Sequence, residues 1–381
     1  MKIIGCDFHP SFQKIAMLDT ETGELIQRQL SHADGEAKRF YESLSGEVQV
    51  GVETSGNMLW FERLLAKLGQ KLLIGDATAI RAASPRLQKC DARDARNLLQ
   101  LLEENRFPAI WVPSLAERDL RQLLKHRHTL VQVRTRAKNQ LQHIAMNQGL
   151  QKKSKLWTKA GQEQLKKLEL EPWTQRRRDD LLQILADFDT RIEELNTSVK
   201  AAAERCPQAV LLMSHPGVGP LVSLGTVLTL GDVSRFARGK NVASYLGLIP
   251  REDSSGGRRR LGSITKQGNS FMRFLLVQAG MGAAKGDAEL GRAYKRLRHK
   301  KHHGVAKVAI ARKLVVRLYW MLRTNTRYPE VVRMQGSSSH SVAEAKADAL
   351  SGRPASRQEG SERPGKAGLN KARPSKERPN K

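Results

Sequence analysis

Two short apolar runs near the start of the chain each end on an acid. Ile3-Ile4-Gly5-Cys6 runs into Asp7, and Val48-Gln49-Val50-Gly51-Val52 runs into Glu53. Short runs of β-formers bounded by turn residues read as strands. Lys2 to Cys6 is therefore a predicted strand. Ile15-Ala16-Met17-Leu18-Asp19 is a second, and a Glu21-Thr22-Gly23-Glu24 turn leads into a third over Leu25 to Leu30. Together they form a meander of short antiparallel strands. Patterns then alternate: helix over Ala37 to Leu44, strand over Val48 to Val52, amphipathic helix over Asn57 to Leu68, strand over Lys71 to Ile74. This order predicts an α/β layer with a mixed sheet. Ligands in such sheets gather at the C-terminal ends of strands, where Asp7 and Glu53 fall.

The next helix supplies two more acids. In Lys89-Cys90-Asp91-Ala92-Arg93-Asp94-Ala95, Asp91 and Asp94 stand three apart, just ahead of Leu98, Leu99, Leu101 and Leu102. Three apart on a helix means one face. Four carboxylates, two at strand ends and two on one helix face, can converge on a pair of divalent metals. Mg²⁺ takes oxygen ligands and keeps waters, so carboxylates and substrate phosphates suit it. Two such ions about 4 Å apart can activate a nucleophile and stabilise a leaving oxygen. Each acid also has a plain structural use. Asp7 can form a turn, Glu53 can cap the Thr54-Ser55-Gly56 turn, and Asp91 can be an N-cap with Asp94 favouring the helix dipole. The four in this order carry the metal reading.

The chain of 381 residues is too long for one ordinary core and predicts two or three domains. Its net charge of +28 predicts a polyanionic partner, with nucleic acid the default and a membrane surface the competitor. No apolar run of about 20 residues and no secretory pattern is present, so no membrane association is expected. Cys6, Cys90 and Cys206 lack zinc spacing and read as reduced thiols of a cytoplasmic protein. There is no Gly-x4-Gly-Lys-Ser/Thr loop, so ATP use is not indicated. His9 and His215 read as local hydrogen-bonding groups rather than ligands.

Ser114-x-x-Glu117 is a capping-box signature that opens a helical region. Apolar positions recur at Leu123, Leu130, Val133, Ala137, Leu141 and Ile144. A second run, Leu181, Leu185, Phe188, Ile192, Leu195 and Val199, alternates by four and three. With Pro172 between them, these predict a long helical hairpin or coiled coil. An ordinary helical bundle is the alternative. Arg121, Lys125, Arg127, Arg134, Arg136 and Lys138 are either a phosphate-facing row or a solvated face.

Cys206-Pro207 ends this region. His215-Pro216-Gly217-Val218-Gly219 precedes an apolar run and resembles a helix-hairpin-helix element. Free N–H groups around Gly217 and Gly219 would suit a phosphate. A plain connecting turn is the alternative. Asp253-Ser254-Ser255-Gly256-Gly257-Arg258-Arg259-Arg260 then sets hydroxyls beside cations in a predicted loop. Arginine binds phosphate with a bidentate fork. A serine there could attack a phosphodiester, or the stretch is simply a loop. Lys266, Arg273 and a helix over Phe271 to Ala279 continue the basic surface. Arg292 to His303 is dense in cations, and an apolar helix over Ala309 to Met321 follows. Composition from about Gly336 onward predicts a disordered basic tail. The expected layout is 1–110, 111–206, 207–334 and the tail 335–381.

These motifs together resemble the transposases of the insertion sequence 110 family, the Asp-Glu-Asp-Asp transposases described as bridge-RNA-guided serine recombinases. The anchors are Gly5-Cys6-Asp7-Phe8-His9, Gly51-Val52-Glu53-Thr54-Ser55-Gly56, Lys89 to Ala95, Pro216 to Gly219, and Gly247-Leu248-Ile249-Pro250 through Ser255-Gly256-Gly257. The resemblance spans roughly residues 1 to 330. It implies a RuvC-like, RNase H-type N-terminal domain with Asp7, Glu53, Asp91 and Asp94 as Mg²⁺ ligands. It also implies a coiled-coil linker, a mainly helical C-terminal transposase domain and a homo-oligomer, a dimer assembling to a tetramer. The family's catalytic serine carries onto Ser255, with Ser254 adjacent. It would attack donor and target DNA and hold the cut end covalently. A structured bridge RNA would choose the sequences by base pairing. Cys90 stands where a threonine is common, and the tail is longer than the family pattern. Two other readings remain on the residues alone. One is a nuclease using metal-activated water, and the other is a non-catalytic nucleic-acid-binding protein.

Overall fold

The computed structural model describes residues 1–83, 91–150, 155–258, 260–328 and 330, with Asp91 and Ala92 described through their backbone alone. Lys89, Cys90, Arg259 and the predicted tail lie outside the described residues. The chain divides into two units, Met1–Leu115 and the residues from Ala116 on.

The first unit opens with β1 (Lys2–Phe8), β2 (Phe12–Asp19) and β3 (Leu25–Ser31), then α1 (Glu36–Ser43), β4 (Val48–Glu53) and α2 (Leu59–Lys67). β5 (Lys71–Gly75), α3 (Ala77–Ala83) and α4 (Asp91–Glu103) complete it. The sheet order is β3-β2-β1-β4-β5. β1, β2 and β3 pair antiparallel, whereas β4 lies parallel to both β1 and β5. The mixed sheet predicted from the alternation is present. Strand side chains alternate between faces. Ile4, Cys6 and Phe8 of β1 join Val48, Val50 and Val52 of β4, Tyr41 of α1 and Phe61 and Leu65 of α2 in one core. Ile3 faces the other way, into Ala95, Leu99 and Leu102 of α4. One strand parity thus belongs to α1 and α2, the other to α4.

The second unit begins with α5 (Leu115–Asn147), a short α6 (Lys159–Lys166) and α7 (Pro172–Glu204). Pro172 sits at the first turn of α7, where its missing N–H costs nothing. Arg127 bonds Asn196 at 2.6 Å, Arg134 pairs with Asp189 at 2.8 Å, and Arg177 reaches Gln140 at 2.9 Å. As numbers rise on α5 they fall on α7, so these two 33-residue helices run antiparallel. The apolar face of α5 is not one seam. Leu123, Leu130 and Val133 are half-buried, while Leu124 is buried in the core of the later helices. Ala137, Leu141 and Ile144 instead meet Leu165, Leu181 and Leu185. α5 changes partner along its length, which a heptad reading cannot express.

Arg178 is buried at 5% exposure and donates to the carbonyls of Lys166 at 2.9 Å and Leu168 at 3.1 Å. It closes the C-terminal end of α6, whose last carbonyls lack helical partners. Arg178→Leu is expected to destabilise this region by about 2–3 kcal/mol, the range for charged hydrogen bonds and stranded acceptors. Arg176→Leu removes only an exposed pair with Asp180 and should cost about 0.5 kcal/mol or less. Local hydrogen exchange over 159–168 separates the two. Equal effects would remove Arg178 from this capping role.

The remainder is α8 (Pro207–Met213), α9 (Pro220–Leu230), α10 (Gly239–Tyr245), a hairpin of β6 (Pro250–Glu252) and β7 (Leu261–Ile264), α11 (Ser270–Gly286), α12 (Ala288–Lys300) and α13 (His303–Thr324). α13 is the axis of their core, with Ile310, Leu314, Val315, Leu318 and Tyr319 fully buried. Gly280 of α11 lets the two helices approach closely: a Cβ there would stand 3.1 Å from the Ala311 nitrogen. Arg317 of α13 pairs with buried Asp287, which also accepts from Tyr328 at 2.9 Å and caps α12 through the Leu290 N–H at 2.7 Å. Burial works against the Asp287 charge, but the Leu290 N–H, Arg317 and Tyr328 together hold its carboxyl below the ordinary range. Among the described residues no helix is long and apolar enough to cross a membrane.

Candidate functional site

β1 and β4 run parallel in a register that pairs Gly5 with Gly51 and Cys6 with Val52. The next step sets Asp7 beside Glu53 at the two strand ends, on neighbouring strands about 4.8 Å apart. Both acids share the parity of Ile3, Gly5 and Gly51, so both belong to the face covered by α4. The carboxylate of Asp7 accepts from His9 Nε2 at 3.1 Å. Thr54, just after Glu53, bonds the Gly75 carbonyl of β5 through its N–H at 3.1 Å and its hydroxyl at 2.6 Å. The end of β4 is thereby fixed on both sides.

The two glycines explain how α4 comes so close. A Cβ on Gly5 would stand 2.2 Å from the Ala95 carbonyl oxygen and 2.3 Å from the Leu99 nitrogen. One on Gly51 would stand 2.7 Å from Leu102 Cδ1 and 2.9 Å from a Phe107 ring carbon. Ile3 packs against Leu99 and Leu102, and Gly5 against Ala95 and Leu99, so α4 runs back along β1. Two strand residues advance about 6.6 Å, and four helical residues about 6 Å. Stepping from Gly5 to Asp7 therefore matches stepping from Ala95 back to Asp91. Asp94 lies one turn before buried Leu98 and is half-buried. The repeated signal Gly-x-acid, at Gly5 and Asp7 and again at Gly51 and Glu53, was readable in the sequence but not as a packing device.

Cys6 adjoins Asp7 yet points to the opposite face. Its thiol donates to Gln13 Oε1 at 3.0 Å, and burial pushes its pKa far up, so it stays protonated. Among the described residues no three His, Cys, Asp or Glu side chains are arranged to hold a metal ion. Asp7, Glu53 and Asp94 thus do not form a ready-made cage, and the Asp91 side chain lies outside what is described. The chemistry of the donor set suits a hard divalent cation: carboxylates, carried at two strand ends and, in Asp94, on one helix turn.

The stretch read as a loop around the serines is a two-stranded hairpin. Ser255 and Arg258 close its tip, with the Arg258 N–H on the Ser255 carbonyl at 3.1 Å. Gly256 and Gly257 between them have φ of 57° and 74°. Two central residues at positive φ mark a type I′ turn, the turn whose twist suits a hairpin. The two serines differ in position. Ser254 donates to Glu252 Oε1 at 2.9 Å and accepts from the Arg260 N–H at 3.1 Å. The Ser255 side chain makes no such bond among the described residues, and every described residue from Arg251 to Gly262 is exposed. Arg258 and Arg260 both stand on the returning arm, across from Ser255 and Asp253.

The other predicted contacts divide. Gly217 has φ of 81°, and a Cβ there would lie 2.2 Å from the Ala283 nitrogen, so the turn is pressed against α11. Gly219 is exposed with open space around it, at the start of α9. His215 is buried; its Nδ1 donates to the Pro216 carbonyl at 2.8 Å, and burial lowers its pKa. Arg273 directs Nη1 at the carbonyls of Leu246, Gln267 and Gly268. It organises the loop that carries Lys266, itself at φ of 57° and exposed.

Comparison with known proteins adds family membership to this geometry. A DEDD-type IS110 profile, described as a transposase, matches residues 4–147, and a profile described as "Transposase IS116/IS110/IS902 family" matches residues 209–296. A probable family 20 transposase of Pseudomonas aeruginosa is 26% identical over 338 residues, covering 85% of this chain and 98% of the relative. The transposase for insertion sequence element IS1111A of Coxiella burnetii is 28% identical over 195 residues, covering 50% and 53%. The transposase for insertion sequence element IS1328 of Yersinia enterocolitica is 25% identical over 287 residues, covering 72% and 83%. Each of these proteins is described as a transposase. The chain belongs to the IS110 family of insertion-sequence transposases.

Proposed function

We propose that this transposase cuts and rejoins donor and target DNA through a covalent bond to Ser255, in a Mg²⁺-dependent reaction guided by a structured RNA. The observation that supports the serine most directly is its position at the exposed I′ turn, directly across from Arg258, while the Ser254 hydroxyl is engaged with Glu252. Ser255 Oγ forms the new P–O bond as the ester bond to the leaving deoxyribose oxygen breaks, and the hydroxyl proton passes to solvent or a base. Attack by the second DNA's hydroxyl then re-forms a phosphodiester and releases the serine. Arg258 and Arg260 hold the phosphate; Arg259 adds to the same run in sequence.

In this reading the first unit is RuvC-like, and Asp7, Glu53, Asp91 and Asp94 would hold the divalent ion, with His9 orienting Asp7. When bound, the ion would supply charge stabilisation at the phosphate oxygens. The α5–α7 pair serves oligomerisation as a coiled coil, and the 207–334 region acts as the transposase domain. Gly217, Gly219 and Lys266 face backbone phosphates, and Arg273 sets the loop beneath them. RNA guidance rests on the family resemblance and on the +28 charge.

The test uses purified full-length protein with Mg²⁺, RNA transcribed from the flanking element end, and labelled donor and target DNA. Denaturing gels are run before and after protease. A protease-sensitive shifted DNA band is the expected result. Free cleaved ends with no shifted band would instead make the carboxylates a water-activating nuclease site, a role their position on the α4 face also fits.

A further inference from the structure

We infer that the outer face of α12 is a second nucleic-acid surface, one that grips a phosphate backbone without reading its sequence. The inference rests on the nucleic-acid reading above and adds a site to it. α12 buries Leu290 and Ala293 and half-buries Tyr294 and Leu297. With 3.6 residues per turn, Arg292, Lys295, Arg296 and His299 then fall within about 100° of one another on the opposite side. All four are exposed. None of the three cations forms an ion pair with a described residue. The acid of this helix, Glu289, is taken by Arg317 at 2.7 Å. From Leu290 to Pro329 the sequence has no Asp or Glu at all.

Two ordinary explanations account for less than this. Cations in a last helical turn are favoured by the dipole, which covers Arg298, His299 and Lys300. Arg292, Lys295 and Arg296 precede that turn. Solvated helix faces carry interspersed signs, whereas this one places like charges three and four apart, where they repel. The same field reaches the next helix. His303 is held below its ordinary pKa by His302 first, with burial, Lys307 and Arg298 adding to it. A stripe from residue 292 to 299 is about 10 Å long. One strand's phosphates advance about 3.4 Å along a duplex axis, so the stripe spans about three of them.

The experiment measures anisotropy of two labelled probes, an RNA stem-loop and a DNA duplex of arbitrary sequence, with the full chain over a range of salt. Arg292→Gln, Lys295→Gln and Arg296→Gln are combined. The slope of log K against log salt should fall by about 2–3, since each lost phosphate contact removes about 0.7–0.9. A control combining Lys38→Gln, Arg176→Gln and Lys200→Gln removes the same net charge from cations already paired with Glu42, Asp180 and Glu204. Its slope should stay at the wild-type value. Arg292→Lys with Arg296→Lys should also keep it, which guards against a folding artefact. A reduced slope with both probes supports a shared polyphosphate surface; with one probe, it names RNA or DNA as the occupant. Unchanged slopes with both overturn the assignment. The adduct assay on the same preparations is read separately. A missing adduct removes the serine reading and leaves the slopes interpretable, and an unchanged slope leaves the serine reading standing.

Discussion

Ser255→Ala is expected to remove the covalent DNA adduct and recombination, by at least about three orders of magnitude, the scale on which nucleophile deletions act. Folding and nucleic-acid affinity should be unchanged. Ser255 is exposed, contributes only its backbone carbonyl to the turn, and is replaced by a residue with the same β-carbon. Ser254→Ala should behave differently. It removes the hydroxyl that joins Glu252 to the Arg260 N–H across the hairpin neck, so it loosens the turn and lowers the rate partially. An adduct that persists in Ser255→Ala and vanishes in Ser254→Ala would reverse the two roles.

Gly5→Ala carries the largest expected structural effect. The new methyl would meet backbone atoms of α4 at 2.2 and 2.3 Å, and backbone cannot rotate aside. The helix would have to move by about 1 Å, at a cost of about 3 kcal/mol or more, at the upper end for overpacking. It would take Asp91 and Asp94 with it, and a 1 Å misplacement at a reacting centre can cost about 100-fold in rate. Gly51→Ala is the paired comparison. Its methyl meets the ends of Leu102 and Phe107, which can shift, so about 1 kcal/mol is expected. Hydrogen exchange resolved over β1, β4 and α4 measures both. Wild-type exchange in Gly5→Ala would show that the helix does not rest on that glycine.

The acids were legible because β-strands have period two and end abruptly. A run such as Val48 to Val52 announces both its face and the residue that follows. What lay beneath them was less legible, since Gly5 and Gly51 act through an absence of side chain opposite a helix some ninety and fifty residues away. The serine hairpin could not be read as strands. β6 and β7 have three and four residues, no apolar alternation and no buried face. Arg178 stands in Arg176-Arg177-Arg178, where nothing local separates the buried guanidinium from its exposed neighbours. α12 was hidden for the opposite reason: its cations outnumber Leu290, Ala293 and Leu297, the apolar positions that mark it as a helix. Heptad counting placed α5 and α7 correctly as long helices, but period alone could not assign Leu124 to one core and Leu141 to another.

The β6–β7 hairpin has a mechanical consequence. Burial does not hold it, and a lone two-stranded ribbon has little stability of its own; it keeps its shape through the I′ turn and the bonds at Ser254. The acids, in contrast, sit where α4 is pressed onto β1 with no room for a methyl at Gly5. The protein therefore divides stiffness unequally between the two groups: the carboxylates are set by a rigid frame, and the hydroxyl rides on a compliant arm. In the proposed reaction, the adjustment that a phosphodiester demands at Ser255 falls to the arm that carries it.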